Sequence, residues 1–176
     1  FTSNFIPSGT GYSFNVFDGN HCDTVLVSQN AVICNCTSSA GETDQTAVNE
    51  CGDGPVTVAY DDTNENFDGN DTLNFVLHSG TGVTIVPPII YQGSDPTVSF
   101  DPATMTYGTT YYLSAVVGDN NGGLVDLNDP CLDVSQGTPI TFFEIPTATL
   151  SGTTAICVGD QAALTIEFTG VGPWSI

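Results

Sequence analysis

Not one of the 176 residues is lysine or arginine. A globular chain of this length ordinarily carries roughly 20 of them. Their absence excludes whole classes of function. Nothing here can neutralise a phosphate backbone, which argues against nucleic-acid binding. An anionic membrane surface repels the chain. No Schiff base, lysine isopeptide link or Lys/Arg salt bridge can form. The 20 aspartates and glutamates give a formal charge of −20. They must therefore be solvated, hydrogen-bonded or bound to cations. Such a surface keeps copies soluble and apart, and it suits salty, calcium-rich water in which ions screen self-repulsion.

Other signals are missing too. No apolar run is long enough to span a membrane, and no signal peptide is present, so no membrane insertion is expected. No stretch holds a helical period; residues 101–105 are expected to make at most one helical turn. The nucleophile elbow Gly-x-Ser-x-Gly, the zinc motif His-Glu-x-x-His and the phosphate-cradling loop are all lacking. Histidine occurs only at positions 21 and 78. His21 adjoins Cys22 and Asp23, but a disulfide at Cys22 removes any Cys–His nucleophile. His78 closes an apolar strand and reads as an edge residue. No catalytic residue is assigned, and the chain is not expected to be an enzyme.

What is present points to β-structure. Hydrophobic residues make up 40 % of the chain, enough for a packed core. Short alternating segments are separated by Asp, Asn, Gly and Pro clusters. Three segments are expected. In residues 1–33, strands at 11–17 and 24–27 (resuming at 31–33) read as the last strands of a preceding β-sandwich. Residues 34–145 hold seven candidate strands, at 55–60, 72–78, 84–90, 97–100, 109–117, 131–135 and 139–143, the signature of a complete immunoglobulin-like sandwich. Residues 146–176, with strands at 147–150 and 162–168, read as the first strands of a following one. The fold class is thus all-β: tandem immunoglobulin-like or fibronectin-III-like sandwiches, one complete and two partial. The order strand, acidic turn, Cys, Val-Ser-Gln occurs twice, through Tyr12 to Gln29 and again through Tyr112 to Gln136, which supports tandem modules. Both ends are expected to continue in a longer protein.

Six cysteines, at 22, 34, 36, 51, 131 and 157, read as disulfides made in an oxidising compartment. The spacing Cys34-Asn35-Cys36 is too tight for a zinc knuckle, and no Cys-x-x-Cys occurs.

Two stretches resemble a known family. Ala155-Ile156-Cys157-Val158-Gly159, followed by the run from Leu164 to Gly172-Pro173-Trp174-Ser175, looks like the start of immunoglobulin-like repeats in giant surface proteins of Bacteroidota. The run from Tyr107 to Ser114, with Asp129-Pro130-Cys131-Leu132-Asp133, is similar to a companion repeat in those proteins. The likeness covers residues from about 34 to the end. It implies an extracellular, cell-surface location, export by type IX secretion, and service as an adhesin, gliding filament or surface appendage. It also implies that Cys157 pairs outside this chain and Cys22 with a cysteine upstream of Phe1. Cys34, Cys36, Cys51 and Cys131 would then remain, with three connectivities open.

Two acidic loops are candidate calcium sites. Residues 61–71 place five acids and three asparagines in eleven positions, with Asp61, Asp62, Asn64, Asn66, Asp68 and Asp71 as oxygen donors for an ion that takes six to eight. It is no EF-hand, because Phe67 and Leu73 fall where glycine and glutamate are needed. The second loop, 119–129, offers Asp119, Asn121, Asp126 and Asp129. Calcium is the only cofactor expected. Sequons begin at Asn35 and Asn70. Asp23-Thr24-Val25 and Asp71-Thr72-Leu73 are similar to the O-glycosylation pattern of Bacteroidota.

The function expected is a structural and adhesive segment of a long surface filament, with neighbouring repeats or copies as partners. The alternatives are a calcium-stiffened module binding a cell-surface glycan or protein, and an accessory domain of a secreted hydrolase.

Overall fold

The computed structural model describes residues 11–20, 23–29, 36–152 and 155–175. Among them every regular element is a strand and none is a helix. The chain divides into two compact units, residues 1–37 and 38–176.

In the first unit, β1 (Tyr12–Phe17) pairs antiparallel with β2 (Asp23–Gln29), with a register shift between Phe14 and Asn15. The turn leaving β1 is shaped by Asp18, whose Oδ1 accepts the Asn20 N–H at 2.8 Å. The expected strand at 31–33 lies outside the described residues.

The second unit begins with four short strands: β3 (Glu42–Thr43), β4 (Val48–Cys51), β5 (Val56–Thr57) and β6 (Tyr60–Asp61). Three longer-range elements follow, β7 (Asp71–His78), β8 (Ile89–Gly93) and β9 (Thr97–Val98). Next come β10 (Thr110–Asn121), β11 (Leu124–Val125), β12 (Asp133–Val134) and β13 (Thr138–Phe143). The main sheet has the order β4-β13-β10-β7-β8, with β11 and β12 also attached to β10. Only β4 and β13 run parallel; the other pairs are antiparallel. The smaller pairs β3–β6 and β5–β9 complete the unit's central part.

The core lies between these layers. Val56, Val58, Val98 and Phe100 from the small pairs and their flanks meet Phe75, Leu77, Leu113, Ala115, Val117, Ile140 and Phe142 from the main sheet. Burying each large apolar side chain contributes roughly 1.5–3 kcal/mol. Aromatic contacts organise one end, where Phe100 stacks on Tyr107 with centroids 3.9 Å apart and tilts against Phe142 at 5.8 Å. The sheet's other face is covered as well. Val76, Val116 and Val125 form a second cluster, closed by Ile85, Leu127, Leu132 and Val134 from the connecting segments. β7 and β10 are therefore buried on both faces, and they read as continuous apolar runs more than as alternating ones.

Strand β14 (Ala148–Gly152) and strand β15 (Leu164–Phe168) form a separate hairpin. Opposite partners share a face, so Ala148, Leu150, Leu164, Ile166 and Phe168 lie on one side, and Thr149, Ser151, Thr165 and Glu167 on the other. Among the described residues the apolar side is largely uncovered: Leu150 is 63 % exposed and Leu164 59 %. Trp174 stacks on Phe168 at 5.3 Å.

Two local expectations are corrected. Residues 84–88 are not strand, and β8 starts at Ile89; Pro87 and Pro88 supply no N–H to a ladder, so pairing begins after them. As expected, residues 101–105 make no more than a single turn, closed by Met105 N–H on Asp101 O at 2.8 Å. His78 is not an edge residue. It is fully buried at the end of β7, which lies between β10 and β8.

Candidate functional site

The pairing of β7 with β10 runs from Tyr112 opposite His78 to Asp119 opposite Asp71. Two like charges thus face each other across the ladder, an arrangement that is destabilising by itself. β10 continues to Asn121, turns through Gly122 and Gly123 at φ of 70° and 95°, and returns as β11. The chain then folds back, with Asp126 N–H on Asp119 O at 2.9 Å and Asp129 N–H on Asp126 O at 3.0 Å. This return carries Asp129 to the pair. One carboxylate oxygen from each of Asp71, Asp119 and Asp129 lies within 4.8 Å of the other two.

Neutral donors fix two of the three. Asp129 Oδ2 accepts the Asp119 N–H and Oδ1 the Cys131 N–H, both at 2.8 Å. Asp71 Oδ2 accepts the Ser38 hydroxyl at 2.7 Å and the Asp68 N–H at 3.1 Å. Gly118 makes room, because a Cβ there would stand 2.7 Å from Asp129 Oδ2. Partial loss of hydration holds the Asp119 carboxyl above its usual range, and the charges of Asp129, Asp71, Asp68 and Asp126 add to it. Two carboxylates at strand ends and one on a turn offer the hard oxygen donors that Ca²⁺ takes.

Seven further candidates divide. Asp68 and Asp126 border the cluster and act on it through charge. Asp61 is occupied elsewhere: its Oδ1 accepts the Thr63 N–H at 2.9 Å and hydroxyl at 2.5 Å, which holds its carboxyl below the usual range. Asp62 accepts the Glu65 N–H through its carbonyl, and Asn66 exchanges backbone bonds with Ser39. Asn64 is exposed in a turn, and Asn121 is exposed at the end of β10. The two loops read separately in the sequence therefore contribute to one place through their ends.

Elsewhere the carboxylates also take neutral donors, as a chain without cations requires. Asp133 Oδ2 accepts the Ala40 N–H at 2.8 Å. Glu65 accepts the Tyr60 phenol at 2.5 Å, and burial together with that bond pushes the phenol's pKa up. Asp53 accepts the Tyr107 phenol, and that bond is the main reason the Tyr107 pKa is pushed up to about 12.

Cys36 and Cys131 are disulfide-bonded. Cys51, expected in a bridge, is a free and exposed thiol on edge strand β4, where its side chain faces away from the core; Cys157 is likewise free and exposed. Cys22, Cys34 and His21 lie outside the described residues. Sequence reasoning missed the polar residues on the sheet's second face. Asn74, Ser114 and His78 are each at most 1 % exposed, and only the burial of both faces of β7 and β10 reveals their role.

No family model matches the chain, and it has no match among curated proteins or solved structures. No helix among the described residues is long and apolar enough to cross a membrane.

Proposed function

We propose that this chain is a structural, adhesive segment of an extracellular surface filament built from tandem immunoglobulin-like β-sandwiches. The observation that carries the proposal is the β14–β15 hairpin. Among the described residues its apolar face is largely uncovered, while the two-layer core before it is fully packed. A two-stranded hairpin is marginal alone, and a face of this pattern is half of another core. Modules in series supply the other half.

The strand order supports the immunoglobulin-like part of the reading. β13, β10, β7 and β8 stand in the order G, F, C, C′ of such a sandwich, while β3, β5 with β6, and β9 correspond to A, B and E. The repeated sequence stretch supports the tandem part: in each unit the strand before the acidic turn pairs antiparallel with the strand that enters Val-Ser-Gln. The disulfide-bonded cysteines and the resemblance to Bacteroidota surface repeats favour an extracellular place and export by type IX secretion.

The experiment is the mass of the native polypeptide on a reducing, denaturing gel, with peptides mapped by a protease that cuts after acidic residues. A chain of many repeats supports the proposal. A native chain near 18.3 kDa overturns it.

Calcium at Asp71, Asp119 and Asp129 is the cofactor this reading carries, since a divalent cation would offset the repulsion between the opposed carboxylates. Thermal melts in calcium and in chelator test it; equal midpoints remove calcium from the proposal.

A further inference from the structure

His78 is fully buried, yet both ring nitrogens are engaged. Its Nδ1 accepts the Gly80 N–H at 3.1 Å, which places the ring proton on Nε2, 3.1 Å from Ser114 Oγ. The Gly80 bond fastens the start of the connection from β7 to β8. That connection, residues 79–88, is drawn into a compact loop. The Ser79 hydroxyl donates to Pro87 O at 3.3 Å, and a Cβ on Gly80 would meet Val86 at 2.5 Å. Its Ile85 closes the second cluster over Val76, Val116 and Val125.

The surroundings of the ring are uncharged. Tyr112 stands opposite on β10 and Ile89 opposite on β8. Residues 79–88 contain no ionisable side chain. Burial alone lowers the affinity of His78 for a second proton; no carboxylate opposes it. A protonated ring would also turn Nδ1 from acceptor to donor, against the Gly80 N–H.

We propose that His78 is a pH-sensitive latch: neutral, it holds the 79–88 loop over the outer face of the main sheet, and in acid it is captured as imidazolium whenever the loop opens. The magnitude follows from linkage. The closed ring takes up a proton less readily than the open ring, whose ordinary value is near 6.5. The opening equilibrium therefore rises as pH falls below 6.5, by up to about tenfold at pH 5.5. Opening removes Ile85 from the cluster of Val76, Val116 and Val125.

Amide hydrogen exchange of the whole chain at pH 7.5 and 5.5, corrected for intrinsic rates, tests the latch. The expected result is a loss of protection, up to about tenfold, at Gly80 and at the other loop amides of residues 79–86, with Leu113 and Ala115 in β10 unchanged. Unchanged protection in the loop, or an equal loss in β10, overturns it. His78→Gln should remove the pH dependence. Should that variant fail to fold, the His78 imidazole of the native chain decides the matter by NMR titration. A ring still neutral at pH 5.5 in the closed state supports the latch, and a midpoint near 6.5 overturns it.

Discussion

The side-chain oxygen of Asn74, on β7, accepts the backbone N–H of Val125 at 2.7 Å. It also accepts the Gln92 amide of β8 at 3.2 Å, and Gln92 donates in turn to Val125 O at 2.8 Å. One buried amide thus ties β7, β8 and the β10–β11 return together on the face away from the main core. The acidic cluster depends on that return, because the chain after β11 is what delivers Asp129.

Asn74→Leu keeps the branched shape at a larger volume and removes the acceptor. It strands the Val125 N–H in an apolar site, which costs about 1–3 kcal/mol. Urea unfolding should show a lower midpoint at unchanged slope.

Phe142 is fully buried and touches both layers through Phe100. Phe142→Ala should cost about 3–5 kcal/mol by leaving a cavity that strands β10 and β4, on either side of β13, cannot fill. The same unfolding series measures it.

Gly118→Ala drives a methyl group toward Asp129 Oδ2, at 2.7 Å before relaxation. Its backbone is ordinary, so the cost is steric, about 1–3 kcal/mol. Any calcium-dependent gain in melting temperature should shrink in this variant, which links the stability of the turn to the geometry of the cluster.

The Asp119 carboxyl titrates higher in the folded chain than in the unfolded one. The folded state therefore binds this proton more readily. Its ionisation weakens the fold at neutral pH, and the penalty fades as pH falls through the folded value toward 3.8. Asp119→Asn should raise the melting temperature at pH 7 and raise it less at pH 4. A variant that melts below the native chain at pH 7 would contradict this.

Among the described cysteines, the thiol pattern is directly measurable. Iodoacetamide on the native chain should label Cys51 and Cys157 and leave Cys36 and Cys131 untouched until reduction. Mass spectrometry of acid-site peptides reads this out.

Much of the framework was legible in the sequence. Residues 72–78, 109–117 and 139–143 are apolar, β-branched and bounded by turn residues, and β7, β10 and β13 lie there within a few residues. β3 and β4 were not visible, because two to four residues, half of them exposed, carry no hydrophobic period. Residues 84–86 have the composition of a strand and lack only a partner, which the prolines after them deny. The candidate site was half legible. Its residue types were recognised, but its assembly rests on a register, Asp71 opposite Asp119, that no local pattern encodes. His78 illustrates the same limit, since an apolar strand end looks alike at a sheet's edge and at its centre.

The parallel pairing of β4 with β13 joins the first part of the central unit to its last. Four residue pairs, from Val48 with Ile140 to Cys51 with Phe143, span that contact. Tension applied through the two ends of this unit would pull the strands along their own length in opposite directions. The ladder bonds would be loaded together, in shear, and none could peel away before the rest. A unit closed in this way resists stretching better than its thermodynamic stability alone would suggest.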